Sequence, residues 1–218
     1  MKFFIDTANL DQIREAHDMG ILDGVTTNPS LMAKEGIKGS NAVFKHYRTI
    51  CEIVDGGDVS AEVVSTDFKG IVEEGKKLSA IHPHIVVKVP MIKEGVKAIR
   101  WFTDNKIATN CTLCFSAGQA ILAAKAGAKY ISPFIGRIDD SGWDGIQLIE
   151  EIAHIYQVQG FETQILAASI RSSLHITKCA AAGADVITSP LEFIIGLLKH
   201  PLTDIGLAKF LEDAKKWS

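Results

Sequence analysis

The sequence predicts an α/β protein built as one (β/α)8 barrel over residues 1–218, with an extra C-terminal amphipathic helix over 203–218. Three observations predict it. Eight short β-rich runs each precede a stretch with helical periodicity. Spread over eight such units, 218 residues give about 27 residues each, and no composition shift marks a linker. A weak internal repeat supports the same unit: AKAGAKYISP at 124–133 echoes AAGADVITSP at 181–190. Each copy runs from a helix end through Gly into a strand that leaves by a hydroxyl residue and Pro.

The runs, in order, are KFFID (2–6), DGVTT (23–27), VSAEVV (59–64), IVVKVP (85–90), ATNCTL (108–113), KYISPF (129–134), QILAAS (164–169) and DVITS (185–189). Between the first two, Asn9 is a plausible N-cap with Gln12 three residues on, Leu10 and Ile13 share a face, and Gly20 is a stop. After Asp140 and Ser141, a stripe of Ile146, Ile149, Ala153 and Tyr156 marks another helix. A doubly wound open sheet would need G-x-G-x-x-G or G-x-x-x-x-G-K-[ST], and neither occurs. Beyond the eighth unit, His200-Pro201 breaks the chain, and Leu207, Phe210, Leu211, Ala214 and Trp217 fall at helical spacing. That stripe either caps its own barrel or docks on a neighbouring subunit.

Composition narrows the function classes. Twenty-three basic against 26 acidic residues give a net charge of -3, which offers no field for nucleic acid. No run of apolar residues reaches membrane-spanning length, and the short apolar run before Asp6 is too brief for a secretory leader. A cytoplasmic protein acting off the membrane is therefore expected. Four cysteines are too few and too scattered for a disulfide framework. Cys111 and Cys114 form a C-x-x-C, but on a strand their odd separation puts the side chains on opposite faces, against redox or metal use. The histidines form no H-E-x-x-H, so no metal ligand set is seen.

Barrel enzymes gather their chemistry at the C-terminal strand ends, so polar residues there carry weight. Lys88 shares a strand face with Val86, opposite Val87 and Val89. Pointing inward, it is a nearly buried amine, and burial favours the neutral nucleophile needed for a Schiff base. The bland alternative is a lysine that snorkels or pairs with a carboxylate. Asp6 and Glu62, each ending an apolar strand, are either that ion-pair partner or proton shuttles. Asn110 and Thr112 face the same way on the fifth strand and suit a water or a substrate hydroxyl. Arg137 follows the sixth strand; Ser169 and Arg171 follow the seventh. These suit a phosphate, unless the arginines are ordinary surface ion pairs.

The segments FIDTAN (4–9), DGVTTNPSL (23–31), VSAEV (59–63), VVKVPM (86–91), TNCTLCFS (109–116), SPFIGRIDD (132–140) and LAASIR (166–171) together resemble the transaldolase family. They are most similar to its short-chain branch, which includes the fructose-6-phosphate aldolases. The resemblance implies a barrel with the Schiff-base lysine at Lys88, sugar-phosphate substrates, and no metal or organic cofactor. It implies Asp6 as acid/base, and Glu62 with Thr112 as holders of the water that relays protons. Thr26, Asn28, Asn110 and Ser132 would bind the dihydroxyacetone portion; Arg137, Ser169 and Arg171 would take the phosphate. It further implies a homo-oligomer, a pentameric ring or a decamer.

Within the branch, aldolase members typically carry Gln at the position of Glu62 and Tyr at that of Phe134. Both positions here match the transaldolase form, which transfers dihydroxyacetone between sugar phosphates of the non-oxidative pentose phosphate pathway. The expected reaction converts sedoheptulose 7-phosphate and glyceraldehyde 3-phosphate to erythrose 4-phosphate and fructose 6-phosphate. Competing readings are a fructose-6-phosphate aldolase and a non-catalytic sugar-phosphate-binding barrel. Ser172-Ser173 departs from the His-Pro often found after Arg171 in close relatives, and Cys111 and Cys114 stand where apolar residues are common.

Overall fold

The computed structural model describes residues 1–217. The β-rich runs become β1 (Lys2–Asp6), β2 (Gly24–Thr26), β3 (Asp58–Glu62), β4 (Ile85–Pro90), β5 (Thr109–Cys114), β6 (Tyr130–Pro133), β7 (Gln164–Ala167) and β8 (Val186–Ser189). Every neighbouring pair is parallel and β8 pairs back to β1, so the sheet closes into a barrel in chain order. A parallel pair cannot be joined by a tight turn, which is why helical sequence separates each run from the next.

The helices are α1 (Leu10–Asp18), α2 (Pro29–Lys34), α3 (Ser40–Val54), α4 (Phe68–Ser79), α5 (Lys93–Asp104), α6 (Ala117–Ala126), α7 (Ile135–Asp140), α8 (Gly145–Gln159), α9 (Ser173–Ala181), α10 (Leu191–Ile195) and α11 (Pro201–Ala214). Asn9 caps α1 as expected, its side chain accepting from the Asp11 and Gln12 amides. The stripe over 146–156 is helical, but its cap is Asp144 rather than Asp140 or Ser141, because 135–140 form the separate α7. The repeated segments match in shape: Gly127 and Gly183 follow their helices with φ of +92° and +94°. That left-handed backbone suits glycine and turns the chain into β6 and β8.

Strand alternation splits the core in two. Val59, Val87, Val89, Cys111 and Ile131 face outward into the layer beneath the helices. Phe4, Val86, Tyr130, Leu166 and Val186 fill the barrel interior. Gly24 lies opposite Phe4, and a Cβ there would stand 2.5 Å from the Phe4 ring, so the large ring requires the small partner. The interior is thus apolar at the N-terminal end and turns polar toward the strand exits.

One expectation is corrected, and one of two open alternatives is removed. Cys111 and Cys114 lie on the same side of β5, both in the outer core, because the strand bulges between them with Leu113 at φ +61°. The extra residue cancels the odd spacing. Burial pushes both thiols up, that of Cys114 to about 11, so they pack as small apolar groups. The alternatives concern α11, present as expected, whose expected range ends on Ser218, outside the described residues. Among the described residues, none of α11 is buried, and Leu202, Ile205, Leu207, Phe210 and Leu211 are exposed. The helix does not bury its stripe on its own barrel.

Candidate active site

Parallel register and the two-residue side-chain period stack interior residues in layers of four drawn from alternate strands. Phe4, Ser60, Asn110 and Leu166 form one layer from the odd strands. Above it stand Thr26, Lys88, Ser132 and Thr188 from the even strands. The next inward positions along the odd strands are Asp6, Glu62, Thr112 and, just past β7, Ala168. Nine of the twelve side chains in these three layers are therefore polar or charged, and the three apolar ones are Phe4, Leu166 and Ala168.

Lys88 is 6% exposed, with its amine given two acceptors. Glu62 Oε2 lies 3.1 Å from Nζ, and the Thr27 carbonyl accepts at 3.1 Å. The carboxylate comes from β3 because Glu62 is the register partner of Lys88. Both halves of the sequence reading hold for Lys88: it is buried and it is ion-paired. A buried amine persists only when so satisfied.

Asp6 Oδ1 accepts from Thr26 Oγ1 at 2.7 Å, and Thr26 Oγ1 meets Thr188 Oγ1 at 2.6 Å. Across the barrel, Ser132 Oγ donates to Asn110 Oδ1 at 2.7 Å, and Asn110 Nδ2 donates to Ser60 Oγ at 3.1 Å. Thr112 Oγ1 is buried without a hydrogen-bond partner among the described residues. A buried hydroxyl left open in a polar layer is costly and marks a place where another polar group is accommodated.

A cavity of about 260 Å³ opens over these layers. It is lined by Asp6, Thr26, Asn28, Lys88, Ser132, Phe134, Arg137, Ser169 and Arg171, nine residues expected from sequence, and also by Ala168, Ile170, Thr188 and Pro190. Glu62, Asn110 and Thr112 do not line it; Glu62 pairs with Lys88, and Asn110 accepts from Ser132. Asn28 is also committed locally, its side chain accepting from the Leu31 amide to cap α2.

The cationic end is assembled by the β6 and β7 exits. Ala168 donates to the Pro133 carbonyl, Ile135 donates to Ala168, and Gly136 donates to the Ser169 carbonyl. Gly136 has to be glycine, because a Cβ would run into that Ser169 carbonyl and the Arg171 side chain. Ser169 itself is held at φ +60°, an uncommon conformation for a residue with a side chain. The Arg137 guanidinium stacks 4.9 Å from the Phe134 ring centre. Arg171 bonds Asp140 Oδ2 at 2.8 Å, so the surface ion pair foreseen as the bland reading does exist for this arginine. It is half exposed and still lines the cavity.

Sequence reasoning missed four contributors. The Thr27 carbonyl and Ser60 carry no motif of their own. Thr188 lies one residue before the end of β8, on the same face as Val186, so the alternation argument applied to Lys88 and Val86 would have found it. His175 braces the Arg171 loop: Nδ1 accepts from the Arg171 amide at 3.3 Å, and Nε2 lies 3.2 Å from Asp139 on α7. With Nδ1 accepting, the ring proton sits on Nε2 and is donated to Asp139.

Comparison with known proteins shows the family. The model of the Transaldolase/Fructose-6-phosphate aldolase family matches residues 3–218. Proteins named "Probable transaldolase" are 67% identical in Cytophaga hutchinsonii and 65% identical in Phocaeicola vulgatus, each over 99% of this chain and 99% of the relative. One from Porphyromonas gingivalis is 64% identical over 99% of this chain and 98% of its own length. A closed barrel with a carboxylate-paired lysine inside it, together with near full-length likeness, makes this chain a member of the transaldolase/fructose-6-phosphate aldolase family and an enzyme of the transaldolase or aldolase type.

Proposed function

We propose that the protein is a transaldolase that passes a dihydroxyacetone unit between sugar phosphates through a Schiff base on Lys88. The observation that carries this reading is the Lys88 amine, buried in the barrel interior 3.1 Å from Glu62. Nζ adds to the C2 carbonyl of a ketose phosphate and water leaves, giving an iminium. Glu62 and the open Thr112 hydroxyl hold the water that carries protons in this step and in its reversal. Asp6 takes the C4 hydroxyl proton as the C3–C4 bond breaks; the electron pair forms the enamine and an aldose phosphate departs. The enamine carbon then adds to an acceptor aldehyde, Asp6 returns the proton, and hydrolysis frees the new ketose.

Thr26, Asn28, Asn110 and Ser132 hold the three-carbon hydroxyls, while Arg137, Ser169 and Arg171 take the phosphate. Among the described residues Arg137 has no carboxylate within ion-pair distance, which leaves its charge available for a ligand, whereas Arg171 shares Asp140. Sedoheptulose 7-phosphate with glyceraldehyde 3-phosphate would then exchange with erythrose 4-phosphate and fructose 6-phosphate.

Phe134 supports transfer over simple cleavage. Its apolar ring, edge-on to Phe115 at 5.8 Å, borders the cavity where a hydroxyl would bring a proton donor to the enamine. Glyceraldehyde 3-phosphate release from fructose 6-phosphate is the direct test. Release that depends on erythrose 4-phosphate is expected; equal release without it makes the protein an aldolase. Phe134→Tyr is expected to raise acceptor-independent release by about ten-fold, a change of roughly 1.4 kcal/mol in barrier.

We further propose a homo-oligomer joined through α11. Support comes from Phe210, Leu211 and Ile205, whose exposed side chains find no burial on their own barrel. Removing residues 201–218 is expected to lower the mass measured by light scattering on a sizing column. A truncated chain of unchanged subunit number would exclude this interface.

A further inference from the structure

The hydroxyl pair beneath Asp6 has a fixed direction. A threonine hydroxyl carries one proton. Thr26 spends its proton on Asp6 Oδ1, 2.7 Å away, because an ionised carboxylate can only accept. The 2.6 Å contact between Thr26 and Thr188 must then have Thr188 as donor. Thr188 is 4% exposed and Thr26 is 2% exposed, so little of either side chain is open to the cavity that both line. The two threonines belong to the same interior layer, on β8 and β2, the strands that flank β1 on either side. Asp6 stands on β1 between and above them, with the Phe4 ring filling the space below.

We propose that Thr188 is a positioning residue for Asp6, acting through Thr26; this rests on the reading of Asp6 as the acid/base of the carbon–carbon step. The one-way chain Thr188 to Thr26 to Asp6 holds Oδ1 in place and leaves Oδ2 turned to the cavity for the substrate hydroxyl. Each donation strengthens the next, since a hydroxyl that accepts a bond becomes a better donor. Deleting the Thr188 hydroxyl leaves the Thr26 oxygen without its donor, weakens the bond that Thr26 gives to Asp6 and loosens the carboxylate. Preorganisation of this kind acts on the chemical step rather than on ground-state binding.

The test compares Thr188→Val, which keeps the shape and loses the hydroxyl, with Thr188→Ser, which keeps the hydroxyl. Thr188→Val is expected to lower kcat for acceptor-dependent transfer about ten-fold with KM held within about two-fold. Borohydride should still trap the imine on Lys88, and Thr188→Ser should return kcat to within about two-fold of the parent. Adding Thr26→Val to Thr188→Val should cost no more than Thr26→Val alone, as expected for two links of one chain. Thr188→Ala gives the same hydroxyl deletion should the valine variant fail to fold.

Unchanged kcat in the folded hydroxyl-deletion variant, a loss carried by KM, a serine variant as impaired as the valine one, or multiplying losses would each overturn the proposal. A parent protein that forms no borohydride adduct, or an Asp6→Asn variant with full turnover, would instead sink the underlying reading and this proposal with it.

Discussion

Replacing Lys88 by Met is expected to lower kcat by roughly 10⁴-fold or more and to leave no borohydride adduct with fructose 6-phosphate. Lys88 is the lysine among the cavity-lining residues, so no neighbouring amine there can take over its addition to the carbonyl. Methionine keeps an unbranched chain of similar length, and the interior layer shared with Thr26, Ser132 and Thr188 stays filled. What is lost is the partner of Glu62, whose side chain is 18% exposed. Water reaches that carboxylate in part, so the expected cost in stability is on the order of 1–3 kcal/mol, read from thermal unfolding. A folded variant that still turns over, or an adduct mapped to a different lysine, overturns the assignment.

Asp6→Asn is expected to separate the two halves of the reaction. The amide still accepts from Thr26 through its carbonyl, so the local geometry and the 2.7 Å contact are retained. It cannot take a proton from the C4 hydroxyl, and removing a general base typically costs about 10²–10⁴ in rate. Imine formation relies on Lys88 and Glu62 and should persist. Fructose 6-phosphate followed by borohydride should therefore leave the whole six-carbon phosphate on Lys88, where the parent protein leaves mainly the three-carbon unit. Mass spectrometry of the labelled peptide distinguishes them. A three-carbon adduct formed at the parent rate would remove Asp6 from the carbon–carbon step.

Much of the site was legible because two periodicities of the backbone place side chains without reference to tertiary detail. Alternation along β4 put Lys88 with Val86 and against Val87 and Val89, and the two cores divide along that line. The same rule brought Asp6, Glu62, Asn110 and Thr112 to the interior. It failed at Cys111 and Cys114, where a bulge at Leu113 adds a residue that the sequence of the strand does not announce. It also left Thr188 unread, although that residue shares a face of β8 with Val186 as Lys88 shares one of β4 with Val86.

The sequence by itself determined that eight β-then-α units follow one another, that the strand exits are polar, and that Lys88 shares one strand face with Val86. Those follow from the periods of helix and strand, which are local. Only the tertiary structure decided which groups meet: Glu62 rather than Asp6 on Lys88, Thr188 on Thr26 across β1, and His175 and Asp140 on the Arg171 loop. Such pairings depend on the stagger between strands and the closure of the barrel, which bring together residues 26 and 188 from opposite ends of the chain. The exposed face of α11 belongs to the same class, because a stripe of apolar residues states that burial is needed and not where it is found.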